Sequence, residues 1–208
     1  VVGQFTTQLI YNNGLQDTTI NPLGTKDFVI ARFDLSGGFD NLQFHDIKRF
    51  YGNNNSTSLK QVNLSVIGSN RTGYFITGDL FGTLSFSGTE SITGTSTTSA
   101  DALVIKIDNN LNYVWSRRGG GIGFDHVNSA GSDQNGNIYL SGKFHASMTF
   151  DSTATLQSSV VTTNGAQDLY IAKYNREGRL LWLYHLGYAG NDDAFGMAIL
   201  GNYLQVAG

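Results

Sequence analysis

Asp168-Leu-Tyr-Ile-Ala-Lys-Tyr-Asn-Arg-Glu-Gly-Arg-Leu-Leu-Trp182 reads as a short apolar strand, a Gly-containing turn and a second strand ending in Trp. The same phrase stands twice earlier. Asp101-Ala-Leu-Val-Ile-Lys-Ile-Asp108 runs on to Trp115, and Asp27-Phe-Val-Ile-Ala-Arg-Phe-Asp34 runs on to Phe44. The three opening aspartates are spaced 74 and 67 apart. A second marker keeps step with them: Gly3, Gly78, Gly142 and Gly208 close similar strand phrases at spacings of 75, 64 and 66. Two independent markers in register indicate an internal repeat, with copies at approximately 1–75, 76–139 and 140–208.

Each period holds four strand-like runs, A to D. In the copy with the clearest punctuation they span 126–133, 138–144 (extending toward Phe150), 169–174 and 180–186. β-Branched and aromatic residues fill the runs, Gly or Asn punctuates the boundaries, and Asn135-Gly136 and Gly201-Asn202 suit tight hairpin turns. No dozen-residue segment carries helical periodicity. In run C both alternating sets of side chains are largely apolar, so the strand is expected to be covered on both faces. The expected fold is all-β: a β-propeller fragment of about three four-stranded antiparallel blades, part of a larger ring, since closed propellers usually need 4 to 8 blades. Trp115 and Trp182 are expected to pack between blades. Arg32, Lys106 and Lys173 are expected to lay their stems along the sheet with the charge at the rim. The B-to-C connections, at 12–26, 87–100 and 151–167, vary in length and are expected to form a small extra hairpin on one edge of each blade.

Composition narrows the function classes. A net charge of −3 with no basic cluster argues against nucleic-acid binding, and no apolar run is long enough to span a membrane. There is no cysteine, which removes disulfides, thiol nucleophiles and Cys-based metal sites. Charged residues make up only 14%, with Ser, Thr, Asn and Gly carrying the polarity. The chain opens at Val1 without Met and stops inside a strand phrase, so it reads as a piece of a longer protein.

Each candidate site has a structural alternative. If Asn135-Gly136 is a two-residue turn, His126 and His145 are direct cross-strand partners, close enough to share a metal beside Asp125. A longer turn shifts that register, and neither His recurs in the other copies, so a solvated rim pair is preferred. Asp133-Gln-Asn-Gly-Asn137 has oxygen side chains at alternate positions, as a calcium loop does, but lacks a nearby Glu and reads as a hairpin turn. Asp27, Asp101 and Asp168 are expected to accept backbone N–H bonds before run C. Asp192-Asp193 reads as an exposed acidic turn rather than a catalytic pair. The Asn-X-Ser/Thr triplets at Asn54, Asn55, Asn63 and Asn70 fit chance in an Asn-rich background. No catalytic residue, metal or cofactor is expected.

The repeat phrase resembles the bacterial SBBP-type β-propeller repeat. The match is fullest where Gly136-Asn-Ile-Tyr-Leu-Ser-Gly142 precedes the Asp168 phrase and Trp182; Gly187-Tyr-Ala-Gly-Asn-Asp192 and Asn202-Tyr-Leu-Gln-Val-Ala-Gly208 keep it in the last copy. The first copy departs from it, with Phe44 in the Trp position and Asn53-Asn-Asn-Ser-Thr57 in the Gly-rich turn. The resemblance implies a non-enzymatic, secreted or cell-surface module acting as scaffold or in adhesion, with an unknown protein or glycan ligand. Further blades would come from the same chain or another copy. The alternatives are a propeller-based polysaccharide lyase or glycosidase and, more remotely, a quinone-dependent dehydrogenase, because Tyr174 to Trp182 also resembles the quinoprotein repeat.

Overall fold

In the computed structural model, residues 1–12, 17–34, 36, 43–54, 57–67, 69–150 and 160–208 are described. Those residues are strands, turns and coil, with no helix among them. Among the described residues seventeen strands form several antiparallel sheets, none of them closed. In chain order, β1 is Val2–Phe5, β2 Leu9–Asn12, β3 Asp17–Ile20, β4 Lys26–Asp34 and β5 Gln43–Gly52. Then come β6 Ser58–Ile67, β7 Asn70–Leu80, β8 Thr83–Ser87, β9 Glu90–Thr93, β10 Asp101–Ile107 and β11 Tyr113–Ile122. The last third holds β12 His126–Ser132, β13 Ile138–Phe150, β14 Val160–Tyr174, β15 Leu180–Leu186, β16 Gly196–Leu200 and β17 Tyr203–Ala207.

The four-run pattern appears twice as an antiparallel meander. β6, β7, β10 and β11 pair in that order, and so do β12, β13, β14 and β15. β1, β4 and β5 form a three-stranded version, and β16–β17 a two-stranded one. The edge hairpins expected from the B-to-C connections are present as β2–β3, β8–β9 and the paired outer halves of β13 and β14. Residues 13–16 and 151–159 of those connections lie outside the described residues.

The expectation of separate four-stranded sheets needs correction. β8 pairs with Tyr51 and Gly52 of β5, making one five-stranded sheet. The outer half of β13 likewise pairs with Gly119–Ile122 of β11, making one eight-stranded sheet. The second and third edge hairpins thus cover the last strand of the meander before them, while β2–β3 stands as a separate two-stranded sheet. Such pairing satisfies an edge that would otherwise expose unpaired backbone groups.

The core lies between meanders. Every residue of β10 is buried. Leu103, Ile105 and Ile107 join one cluster with Phe28 and Phe50 of the first meander, while Ala102 and Val104 join another with Trp115, Phe144 and Tyr170. The doubly apolar strand is therefore covered on both faces. In β14 the alternation differs: Tyr170, Ala172 and Tyr174 are buried, but Leu169, Ile171 and Lys173 on the opposite face are only half-buried. The third meander packs on the second with one face and is partly open on the other.

Candidate functional site

Three aspartates stand at corresponding positions of the central strands, second in β4, first in β10 and midway along β14. Asp27, Asp101 and Asp168 are fully buried. Asp27 accepts from Leu23 N and Gly24 N, Asp101 from Thr95 N at 2.6 Å and Thr95 Oγ1, and Asp168 from Asn164 N at 3.0 Å. Each also has a cationic or ionisable partner at the same diagonal position on the next strand: Arg49 at 3.9 Å, Arg118 at 3.1 Å and His185 at 3.9 Å. Gly120 and Gly187 stand against the carboxylates of Asp101 and Asp168, where an added Cβ would lie 2.2 and 2.3 Å from them. Asp27 and Asp101 hold the turn before their strand, as their position in the sequence implies, whereas Asp168 holds the bulged segment 163–166 within β14.

The turns after β10 and β14 also share one form. Asp108 N donates to Asn112 O and Leu111 N to Asp108 O; Asn175, Arg179 and Gly178 repeat the pattern, and so do Asp133, Asn137 and Gly136 between β12 and β13. The fourth residue has positive φ each time: Leu111 at 61°, Gly136 at 80° and Gly178 at 78°. Asp133 accepts from Asn135 N, Asn137 N, Asn137 Nδ2 and Tyr139 Oη. Burial works to raise its pKa, but these bonds outweigh it and hold the carboxyl below its ordinary value. The loop is a hairpin turn whose oxygens are already engaged.

That turn decides the fate of the histidine pair. It spans five residues, 133–137, and a bulge between Val127 and Ser129 adds a further shift. His126 therefore faces Lys143, and His145 faces Gln167 of β14. The two histidines are not cross-strand partners. His126 Nδ1 lies 3.1 Å from Asp79 Oδ2, the oxygen that pairs with Lys60 at 2.7 Å. Asp125 is fully buried and accepts from Gly121 N at 2.9 Å and His145 N at 3.1 Å. Among the described residues no three His, Cys, Asp or Glu side chains gather as a metal site would need. Asp192 and Asp193 have separate partners as well: Tyr188 N for the first, Lys143 and Asn128 for the second. Of the Asn-X-Ser/Thr triplets, Asn55 and Ser56 lie outside the described residues.

Burial pushes the Asp125 carboxyl up to about 7, against the pull of its two backbone donors. The folded-state value lies above the ordinary 3.8, so its contribution to stability is complete below 3.8 and is lost as pH rises through about 7. Asp108 and Asp133, held low, act in the opposite sense and lose their contribution in acid. The melting temperature is thus expected to fall by about 5–10 °C from pH 4 to pH 8. Asp125→Asn should flatten that fall while lowering stability overall, as a thermal melt at each pH would show.

Two further positions differ from expectation. Lys106 does not reach the rim: it is buried, its Nζ 4.7 Å from the centre of the Phe75 ring and within 3.3 Å of Thr72 O. Burial lowers its pKa to about 8. Phe44 is not in the Trp position either. Trp115 faces Lys106 and Trp182 faces Lys173, whereas Asp46 faces Arg32. Asp46 holds that guanidinium through two hydrogen bonds.

These positions form a contact between successive meanders. Arg32 Nη1 donates to Asn109 O, in the turn of the second meander. Trp115 Nε1 donates to Arg176 O at 2.9 Å, in the turn of the third. Asn109 and Arg176 are the second residues of their turns. Trp115 is 7% exposed and sits between Phe75 and Tyr174, with Arg117 over its ring and donating to Gly178 O at 2.7 Å. An added Cβ at Gly178 would lie 2.7 Å from the indole. Gly178→Ala is expected to cost about 2–3 kcal/mol from positive φ and overpacking together, measured by urea unfolding.

The third meander presents the same constellation to an open cavity of about 760 Å³. Trp182, Tyr139 and Lys173 line one wall, and Ile199 and Tyr203 of the terminal hairpin the other. Lys173 Nζ lies 4.7 Å from the Tyr139 ring centre, as Lys106 does from Phe75, and 3.7 Å from Asp133. The Trp182 ring meets Tyr139 and Tyr184 edge-on. The sequence marks Trp182 and Lys173 through their recurrence, but their contribution to a cavity follows only from the pairing. No family model matches the chain, and no match is found among curated proteins.

Proposed function

We propose that the chain is a run of SBBP-type β-propeller repeats that works as a non-catalytic scaffold or recognition module of a secreted or cell-surface protein. The observation that carries this reading is where the recurring polar residues go. Asp27 of β4, Asp101 of β10 and Asp168 of β14 are buried against backbone N–H groups just before them in the chain, and Asp108 and Asn175 in the turns after β10 and β14 bind their own backbone. A catalytic group is needed once and must face substrate, whereas these groups recur and face the chain. Recognition then falls to the segments that differ between copies, the edge hairpins such as β8–β9 with its exposed Ser87–Glu90 turn. The test is a panel of polysaccharides, aryl glycosides and alcohols with artificial electron acceptors. The expected result is no consumption of any substrate above buffer, with retained binding to at least one surface glycan or matrix protein. Reproducible turnover that a single Asp or His substitution abolishes would overturn the reading.

A further inference from the structure

We infer that Asp168, His185 and Asn164 form a binding site for one divalent first-row transition ion, zinc being the probe that tests it. The site stands apart from the recognition reading above and is carried by a difference between copies of one fastening.

In the first and second meanders a guanidinium faces the buried aspartate from the next strand. Arg49 stands 3.9 Å from Asp27, and Arg118 stands 3.1 Å from Asp101. The third meander puts His185 in that position, its Nε2 3.9 Å from Asp168 Oδ2. A guanidinium carries a fixed positive charge, whereas a neutral imidazole with its proton on Nδ1 offers a lone pair at Nε2 and no charge. Asp168 is also the least satisfied of the three carboxylates. Asp27 Oδ1 accepts from Gly24 N and Asp101 Oδ1 from the Thr95 hydroxyl. Asp168 Oδ1 stands against Gly187 with no hydrogen-bond partner, although the residue is fully buried. A cation beside it offsets the cost of that unmade bond.

The third donor comes from the bulge in β14. The side-chain amide of Asn164 lies 3.5 Å from His185 Nε2 and 3.2 Å from Gly187 O. The separations of 3.5 and 3.9 Å around His185 Nε2 are long for hydrogen bonds. They suit ligands of one ion, because donors that each sit about 2.0–2.2 Å from a metal stand about 3–4 Å from one another. Exchanging the O and N of the Asn164 amide presents an oxygen to His185, and the ion offsets that oxygen's approach to Gly187 O. The set is then His185 Nε2, the Asp168 carboxylate and the Asn164 amide oxygen, with water completing the shell. One imidazole and one carboxylate fall short of the three such side chains of a tight structural site, so binding is expected to be exchangeable. The imidazole selects a transition ion over magnesium or calcium, which take oxygen ligands.

The chain has four histidines, and their ring signals report separately by NMR. The intact chain, labelled with ¹⁵N, is titrated with zinc chloride at about pH 7.5, where an ordinary imidazole is neutral. The His185 ring is expected to respond with half-saturation below about 0.1 mM, ahead of His45, His126 and His145. In thermal melts about 1 mM zinc should raise the melting temperature by about 3–6 °C, and magnesium at the same concentration should leave it unchanged. His185→Arg supplies the guanidinium of the other two meanders. It should melt no lower than the parent chain without metal and bind zinc at least about tenfold more weakly. Asn164→Ala, at an exposed position, should keep the metal-free melt and weaken zinc binding at least about fivefold. Should His185→Arg fail to fold, Asn164→Ala decides alone. The inference is overturned if the His185 ring does not move by about 1 mM zinc or if another histidine responds first. Equal stabilisation by magnesium, or a folded variant that binds zinc as tightly as the parent chain, would also overturn it.

Discussion

Trp115→Ala is expected to lower the unfolding free energy by about 3–5 kcal/mol, the range for truncating a buried large aromatic. The indole is nearly inaccessible, wedged between Phe75 of its own meander and Tyr174 of the next. Its removal takes away ring contacts on two sides and the donor to Arg176 O. It also leaves Arg117 without the ring beneath its guanidinium. Trp182→Ala, at the corresponding position on the open face, should cost about 1 kcal/mol or less, because its ring is only half-buried. Equilibrium urea denaturation of the two variants checks the contrast. Equal losses would mean that position in the strand, rather than the next meander, decides the energetic role of Trp.

The second large effect is expected at Asp101. Its carboxylate is fully buried and binds Thr95 through backbone and hydroxyl, with Arg118 at 3.1 Å. Asp101→Ala removes the acceptor of the Thr95 backbone N–H, leaves the Thr95 hydroxyl only Gly121 O at 3.3 Å, and leaves Arg118 facing the space of the lost carboxylate. About 3 kcal/mol of destabilisation follows from unmaking bonds to a charged group in a buried setting. Asp168→Ala should cost less, because that carboxylate has one backbone donor and a partner only at 3.9 Å, and its Oδ1 has no hydrogen-bond partner. Thermal melts of both variants at one pH would rank them; an inverted order would show that these hydrogen bonds do not set the cost.

Much of this was legible in the sequence because strand character and burial are local or periodic. The four runs from His126 to Leu186 stand where apolar alternation and Gly/Asn punctuation put them, and β10 is covered on both faces as its doubly apolar pattern implies. The role of Asp27 and Asp101 followed from their place at the start of a strand, whereas the bulge that Asp168 holds within β14 did not show in the sequence. Register was not legible. The five-residue turn at 133–137 and the bulge after Val127 displace His126 from His145 by two positions. A longer connection after Asp34 likewise puts Asp46, not Phe44, opposite Arg32. The joining of sheets through β8 and the outer half of β13 also escaped the sequence, because it depends on pairing across separate copies of the pattern. The candidate cavity was hidden for the same reason: Trp182, Ile199 and Tyr203, which line it, look like core residues until the packing shows which face remains open.

The most direct test of the stacked-meander account is the solvent exchange of the two indole N–H groups in the chain alone, followed by ¹⁵N-resolved NMR. The account predicts that the Trp115 signal, bonded to Arg176 O and enclosed by the third meander, exchanges at least about a hundredfold more slowly than the Trp182 signal. Gly178→Ala should bring the two rates closer. Equal exchange of both indoles in the unmodified chain would contradict it, because no meander would then be closing over Trp115.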